Sequence, residues 1–188
     1  MSATVRKPMT IAEFLDWEER QELRYEFDGE QPVAMTGGTI DHDSISFNLR
    51  KALDARLGDG RCRPFGPNVK ILVAGRVRYP DVVVACTPQN GRTTIVEAPV
   101  VVFEVISAST SRTDRIEKLR EYFGTLSIVR YVILEQDSIA ATVFERRGGA
   151  WHAAAVTGED VLAMSEIGIG LPIAECYAGV AVTASPEQ

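Results

Sequence analysis

The sequence predicts an α+β (α/β) chain: a central mixed β-sheet flanked by helices, preceded by an N-terminal helix and a β-hairpin. Three observations carry this expectation. Ile45, Leu49, Leu53 and Leu57 recur every four residues, the spacing of one helix face. Val82-Val83-Val84-Ala85 and Val100 to Ile106 are almost unbroken apolar runs, as in strands buried on both faces. Helices come first, then a strand-rich centre, then a helix and more strands, an order suited to a mixed sheet.

Each element has its own local signal. Residues 1–9 read as a loose arm. Thr10-Ile11-Ala12-Glu13 is a capping-box pattern, and Ile11, Phe14, Leu15 and Trp17 follow at helical spacing, so a helix is expected over about 10–20. Arg24 to Phe27 alternates as a strand does. Asp28-Gly29 offers a tight turn, and Glu30 to Thr36 can return as the partner strand. Gly37-Gly38 breaks the chain. A helix over about 41–57 follows, with Gly58 as its stop.

Val69, Ile71 and Val73 alternate with Lys70 and Leu72, which predicts a strand before the two apolar runs. A helix at about 113–123 carries Ile116, Leu119 and Phe123 on one side. Ile128 to Leu134 is a further strand. Ala140 to Glu145 and Trp151 to Val156 form a hairpin around Gly148-Gly149. The tail is expected to hold turns and a short helix after Pro172, and residues 184–188 to fray. Nothing in between reads as a linker, so residues 10–183 are expected to form one domain.

Composition limits the function. The chain has 188 residues, 45% of them hydrophobic, and a net charge of −6. That length suits one domain with its own core. The acidity speaks against tight, non-specific coating of DNA, which needs many phosphate contacts. It is unevenly spread, however: residues 50–120 hold 13 Lys or Arg against 7 Asp or Glu. That basic centre reads either as ordinary solvated surface or as a phosphate-facing surface.

Cys62, Cys86 and Cys176 form no CxxC and no zinc-like cluster. Cys86 reads as a small buried hydrophobe, no disulfide framework is expected, and a reducing cytoplasm is the expected location. No signal peptide or membrane-spanning stretch is visible, so no membrane partner is expected.

Glu104 is the residue that does not fit its surroundings. It interrupts Val100-Val101-Val102-Phe103-Glu104-Val105-Ile106. A buried, unpaired carboxylate costs several kcal/mol, so it must be paired, protonated or metal-bound. Alternation places Val102, Glu104 and Ile106 on one face. Asp81 opens the preceding strand, directly after Pro80. If the two strands pair antiparallel, Asp81 and Glu104 converge at one end of the sheet. Two such carboxylates suit a hard divalent cation. The plainer readings are a capping Asp in a turn and a Glu paired with a buried Arg.

The order of short motifs resembles the Uma2 family (DUF820). The motifs are Arg24-Tyr25-Glu26-Phe27-Asp28-Gly29-Glu30, His42 at a helix start, Tyr79-Pro80-Asp81-Val82-Val83-Val84, Phe103-Glu104-Val105-Ile106-Ser107, Ser109-Thr110, and then Asp114, Lys118 and Tyr122. The resemblance spans about residues 9–175 and implies a restriction-endonuclease-like PD-(D/E)xK core. It also implies a magnesium- (or manganese-) dependent endonuclease that acts on DNA, with Asp81 and Glu104 as metal ligands. In that superfamily a basic residue usually lies two positions after the second acid. Here that position is Ile106, and the Uma2-like pattern offers Lys118 instead.

The auxiliary residues keep two readings each. Lys118 either serves catalysis or forms a surface pair with Asp114 at i, i+4. On a helical wheel it lies away from the Ile116, Leu119 and Phe123 stripe. Glu26 either completes the metal site or is a solvated strand residue. His42 either activates water or touches phosphate, or is plain helix surface between Asp41 and Asp43. Arg112 and Arg115 either meet DNA phosphates or belong to a charged helix face. Trp17 and Trp151 read as packing residues. Two further readings stand beside the nuclease: an inactive nuclease-fold binding or assembly module, and a structural polar cluster in a homo-oligomer. Free sheet edges make a homodimer one expected remedy.

Overall fold

The computed structural model describes residues 8–106 and 112–182, with only the backbone described at 112–114. Most of the expected arm and the frayed 184–188 tail lie outside the described residues. The chain opens with α1 (Ile11–Glu18), and the capping box forms as the sequence predicts. Glu13 N–H donates to Thr10 Oγ1 at 3.2 Å, and Thr10 N–H donates to Glu13 Oε2 at 2.7 Å. Strands β1 (Tyr25–Phe27) and β2 (Pro32–Ala34) pair antiparallel. Asp28 Oδ1 accepts the Glu30 and Gln31 N–H groups, and Gly29 takes the φ of +100° that closes the turn. Helix α2 (Ile40–Leu57) is capped by Thr39 and stops at Gly58.

The middle of the chain contributes β3 (Arg63–Phe65), β4 (Ile71–Val73), β5 (Arg76–Arg78), β6 (Val82–Ala85) and β7 (Pro99–Ile106). Helix α3 (Arg112–Gly124) follows, then β8 (Arg130–Glu135), β9 (Ala140–Arg147), β10 (Ala150–Thr157), β11 (Val161–Met164), β12 (Ile169–Pro172) and a 3₁₀ turn (Ile173–Tyr177).

The central sheet has six strands in the order β10-β9-β8-β7-β6-β3. Only β7 and β8 run parallel within it, because α3 carries the chain back across between them. The neighbouring pairs are antiparallel, so the sheet is mixed.

Alternation along β6 and β7 sorts the core into two sides. Val82, Val84, Val101, Phe103 and Val105 join Ile45, Leu49 and Leu53 of α2. Val83, Val102 and Ile106 face the other side, with Tyr122 of α3 and Ile71 of β4. A second sheet, β2-β1-β5-β4, lies beside this frame. Its Phe27 and Val77 pack on Phe14 of α1.

Three sequence expectations change. The segments that become β3 (Arg-Pro-Phe) and β5 (Arg-Val-Arg) carried no strand signal; each is only three residues long, too short to show a period. The tail contains the β11-β12 hairpin where turns were expected. Cys62 and Cys86 are bonded as a disulfide, against the expectation that the cysteines stay unpaired. The β3–β6 register sets Arg63 opposite Ala85 and so brings the flanking cysteines together. Sequence spacing could not reveal that pairing, and cysteine usage therefore no longer argues for a reducing compartment. Cys176 is free and buried. Among the described residues, no helix is long and apolar enough to cross a membrane.

Candidate active site

The antiparallel β6–β7 ladder pairs Val82 with Phe103, which sets Asp81 opposite Glu104. Asp81 stands where the ladder ends, and its side chain replaces the missing strand partner. Asp81 Oδ2 accepts the Val105 N–H at 2.7 Å. The same oxygen lies 3.2 Å from Nε2 of His42, in the first turn of α2. His42 reaches it because Thr39 caps α2 through the His42 N–H, which turns the helix start toward the strand end.

Glu104 points to the α3 side. Its Oε1 accepts the Tyr122 hydroxyl at 2.7 Å and the Lys118 ammonium at 3.2 Å. Lys118 and Tyr122 are one helical turn apart, so one face of α3 delivers both. The α3 stripe expected from sequence is thereby corrected. Ile116 is exposed, Leu119 is only partly buried, and Tyr122 is fully buried against Glu104.

These groups meet in a cleft of about 520 Å³. Glu26, His42, Asp81, Glu104, Ile106 and Lys118 all line it. All five residues proposed from the sequence for catalysis thus share one cleft. Ile106 sits at the superfamily's usual basic position, and Lys118 brings its charge to Glu104 from the neighbouring helix.

The electrostatics are strained in one direction. Burial pushes the Glu104 carboxyl up to about 7; Lys118 opposes this, and the charges of Asp81 and Glu26 add to it. The hydrogen bond to Asp81 raises His42 above its ordinary value, partly countered by burial. The cleft therefore carries more negative charge than its own cations offset.

Glu26 is held differently. Its Oε1 accepts the Tyr79 N–H at 3.1 Å, and its Oε2 pairs with Arg78 at 3.0 Å. Arg78 is itself gripped by Glu121 through two bonds of 2.6 Å. Both Glu26 oxygens are thus engaged by the protein. Tyr79 and Lys70 converge in turn on buried Glu18. The sequence did not reveal this cluster, because Arg78 lies on a strand without a strand signal.

Part of the basic centre is therefore spent on pairs within the molecule. Lys70, Arg76 and Arg78 pair with Glu18, Glu121 and Glu26, and Arg56 pairs with Glu175. Arg115 lies 3.7 Å from Glu135. The Arg112 side chain lies outside the described residues. Trp151 stacks on Phe123 at 4.1 Å and Trp17 packs on Tyr25, as expected of packing residues.

The fit of a hard cation rests on two carboxylates. Among the described residues no group of three or more His, Cys, Asp or Glu converges as a metal site. Asp81 and Glu104 each commit one oxygen to protein partners, Oδ2 and Oε1 respectively. Their other oxygens accept no hydrogen bond from the described residues. Oxygen donors with surplus negative charge suit magnesium or manganese, which keep several waters and take only one or two carboxylates.

Known proteins resemble this chain in sequence and in fold. The family model for Uma2, described as "Putative restriction endonuclease", matches residues 11–174. The uncharacterised protein slr1290 of Synechocystis sp. is 31% identical over 173 residues, covering 90% of this chain and 91% of that protein. A second Synechocystis protein, sll1609, also uncharacterised, is 25% identical over 166 residues, covering 85% and 94%. The crystal structure of "a putative nuclease belonging to DUF820" from Anabaena variabilis superposes with a TM-score of 0.74. It covers 91% of this chain and 98% of its own, at 15% identity, and so speaks to the fold.

Proposed function

The chain belongs to the Uma2 family, and from that premise we propose that it is a metal-dependent nuclease hydrolysing phosphodiester bonds of DNA. Asp81 and Glu104 would hold a magnesium or manganese ion. The observation that carries the reading is the meeting at Glu104: Lys118 Nζ lies 3.2 Å from Oε1, and Asp81 stands across the ladder. This supplies two acids and a base in one cleft although Ile106 occupies the usual basic position.

When bound, the ion would supply Lewis-acid polarisation of the phosphate and a more acidic water. The side chains divide the remaining work. Lys118 offsets negative charge growing on the phosphate. Tyr122 fixes the Glu104 carboxylate through Oε1. Asp81 orients the imidazole of His42, which meets the attacking water or the phosphate. Glu26, held on both oxygens, shapes the field of the cleft and is not assigned as a ligand.

The test is cleavage of labelled DNA with magnesium or manganese. Asp81→Ala and Glu104→Ala are expected to abolish it while the chain stays folded, and chelation of the metal is expected to abolish wild-type cutting. If both variants cut like wild type, the site assignment is wrong. One observation favours the alternative of an inactive nuclease-fold module: the described residues offer two carboxylates and no third metal ligand. That reading predicts no heat of metal binding and no cleavage of any DNA form.

A further inference from the structure

The two edges of the central sheet are built differently. One edge, β3, has three residues, includes Arg63 and Pro64, and is flanked by the Cys62–Cys86 bond. Shortness, charge and proline all blunt an edge against further pairing. The other edge, β10, has eight residues, Ala-Trp-His-Ala-Ala-Ala-Val-Thr. It contains no proline, glycine, carboxylate, lysine or arginine, so none of those devices protects it. The outer strands of the second sheet, β2 and β4, have three residues each.

Two bonds fix which backbone groups of β10 point outward. Arg146 N–H donates to Val129 O at 2.8 Å, on the β8 side, so its partner Trp151 turns its backbone away from β9. Gly158 N–H donates to Ile139 O at 3.0 Å, which points the even-numbered residues inward. The N–H and C=O groups of Trp151, Ala153 and Ala155 therefore face outward. None of these groups has a hydrogen-bond partner among the described residues. Ala153, Ala154 and Ala155 are exposed. Charge is confined to the ends of the strand. β10 begins beside Arg147, whose side chain is 68% exposed, and ends just before exposed Glu159 and Asp160. Arg147 also meets Glu145 of its own strand.

We propose that β10 is the interface with a second copy of this chain. The two β10 strands pair antiparallel about a two-fold axis at Ala153, joining the six-stranded sheets edge to edge. In that register the outward groups of Trp151, Ala153 and Ala155 all find partners. Trp151 stands opposite Ala155 of the second copy, and His152 opposite its Ala154, so each bulky side chain meets a small one. The antiparallel direction brings Arg147 of each copy to the Glu159 end of the other, and opposite charges meet at both ends. The edge thus complements itself in hydrogen bonding, size and charge, which favours a second copy over a foreign strand. The proposal does not depend on the nuclease reading.

Sedimentation equilibrium of the full chain tests it. Wild type is expected to be a dimer at micromolar concentration. Ala153→Asp sets two carboxylates against each other on the axis and is expected to give a monomer. The position is exposed, so each copy is expected to keep its fold, which circular dichroism checks. Arg147→Glu and Glu159→Arg are each expected to weaken the dimer by about fivefold, and the double variant to restore it. Ala153→Cys is expected to crosslink two copies on mild oxidation, because paired Cα atoms lie about 5.5 Å apart, within disulfide reach. Wild type that stays monomeric up to millimolar concentration overturns the proposal. So does a dimer that survives Ala153→Asp, that the double charge variant does not restore, or that Ala153→Cys does not crosslink.

Discussion

Two buried carboxylates on the α3 side of the molecule are treated in opposite ways. Glu121 lies in a closed cluster: Arg78 grips both its oxygens at 2.6 Å, and Arg76 adds a third contact at 3.2 Å. Glu104, equally sheltered, receives one lysine at 3.2 Å and one tyrosine hydroxyl, and faces the like charge of Asp81. The first arrangement engages both oxygens with planar, permanently charged donors. The second leaves a carboxyl pushed up to about 7 beside a cleft. Full compensation marks a structural tie between α3 and β5. Incomplete compensation is the condition that the proposed cation site requires.

The contrast can be broken most forcefully at Arg78. Arg78→Met strands Glu121 and Glu26 without their shared cation, and is expected to cost about 3–5 kcal/mol in urea unfolding, as for a broken buried pair. A loss below about 1 kcal/mol would mean the cluster is not structural. Lys118→Met should behave in the reverse way. Its folding stability should change little, while DNA cleavage should fall by about 10²–10³-fold, the scale for losing one preorganised charge-stabilising donor. A large stability loss with unchanged cutting would erase the distinction between the two carboxylates.

Smaller effects sharpen the same comparison. Glu104 must be ionised to hold a cation, and its carboxyl titrates at about 7. Metal-dependent cleavage is therefore expected to rise with pH up to about 7. Proton and metal compete for the site, so more metal should move that limb to lower pH. A pH-independent rate between 5 and 8 would contradict the assignment.

The smallest effect concerns folding. A carboxyl whose folded pKa is raised contributes stability below its unfolded pKa and loses it as pH rises through the folded value. Wild type should lose stability as pH rises from about 4.5 to about 7. Glu104→Gln keeps the tyrosine bond without the charge, so its melting temperature should match or exceed wild type at pH 8. A lower value would place Glu104 with Glu121 as a structural acid.

Legibility from sequence followed the range of the interaction. The capping box at Thr10, the Asp28-Gly29 turn and the four-residue spacing of α2 involve neighbours in the chain, and each formed as read. The convergence of Asp81 and Glu104 was legible because a Pro-Asp strand start and a lone acid in an apolar run allow few antiparallel registers. Lys118 was ambiguous, because a helical wheel shows a face and not what faces it. Arg78 and Glu121 were invisible: neither breaks a local pattern, and β5 exists only by pairing with β1 and β4. The Cys62–Cys86 bond was misread for the same reason.

The sequence alone thus determined the chemistry available: which acids sit in apolar surroundings, which helices form, and where the chain must turn. Tertiary structure decided what each group was for. It spent Lys70 and Arg78 of the basic centre on buried pairs and turned Lys118 toward Glu104. Local preferences depend on neighbours a few residues apart. Compensation of charge depends on groups up to 119 residues apart, as in Arg56 and Glu175 at 2.6 Å, brought together only by the fold.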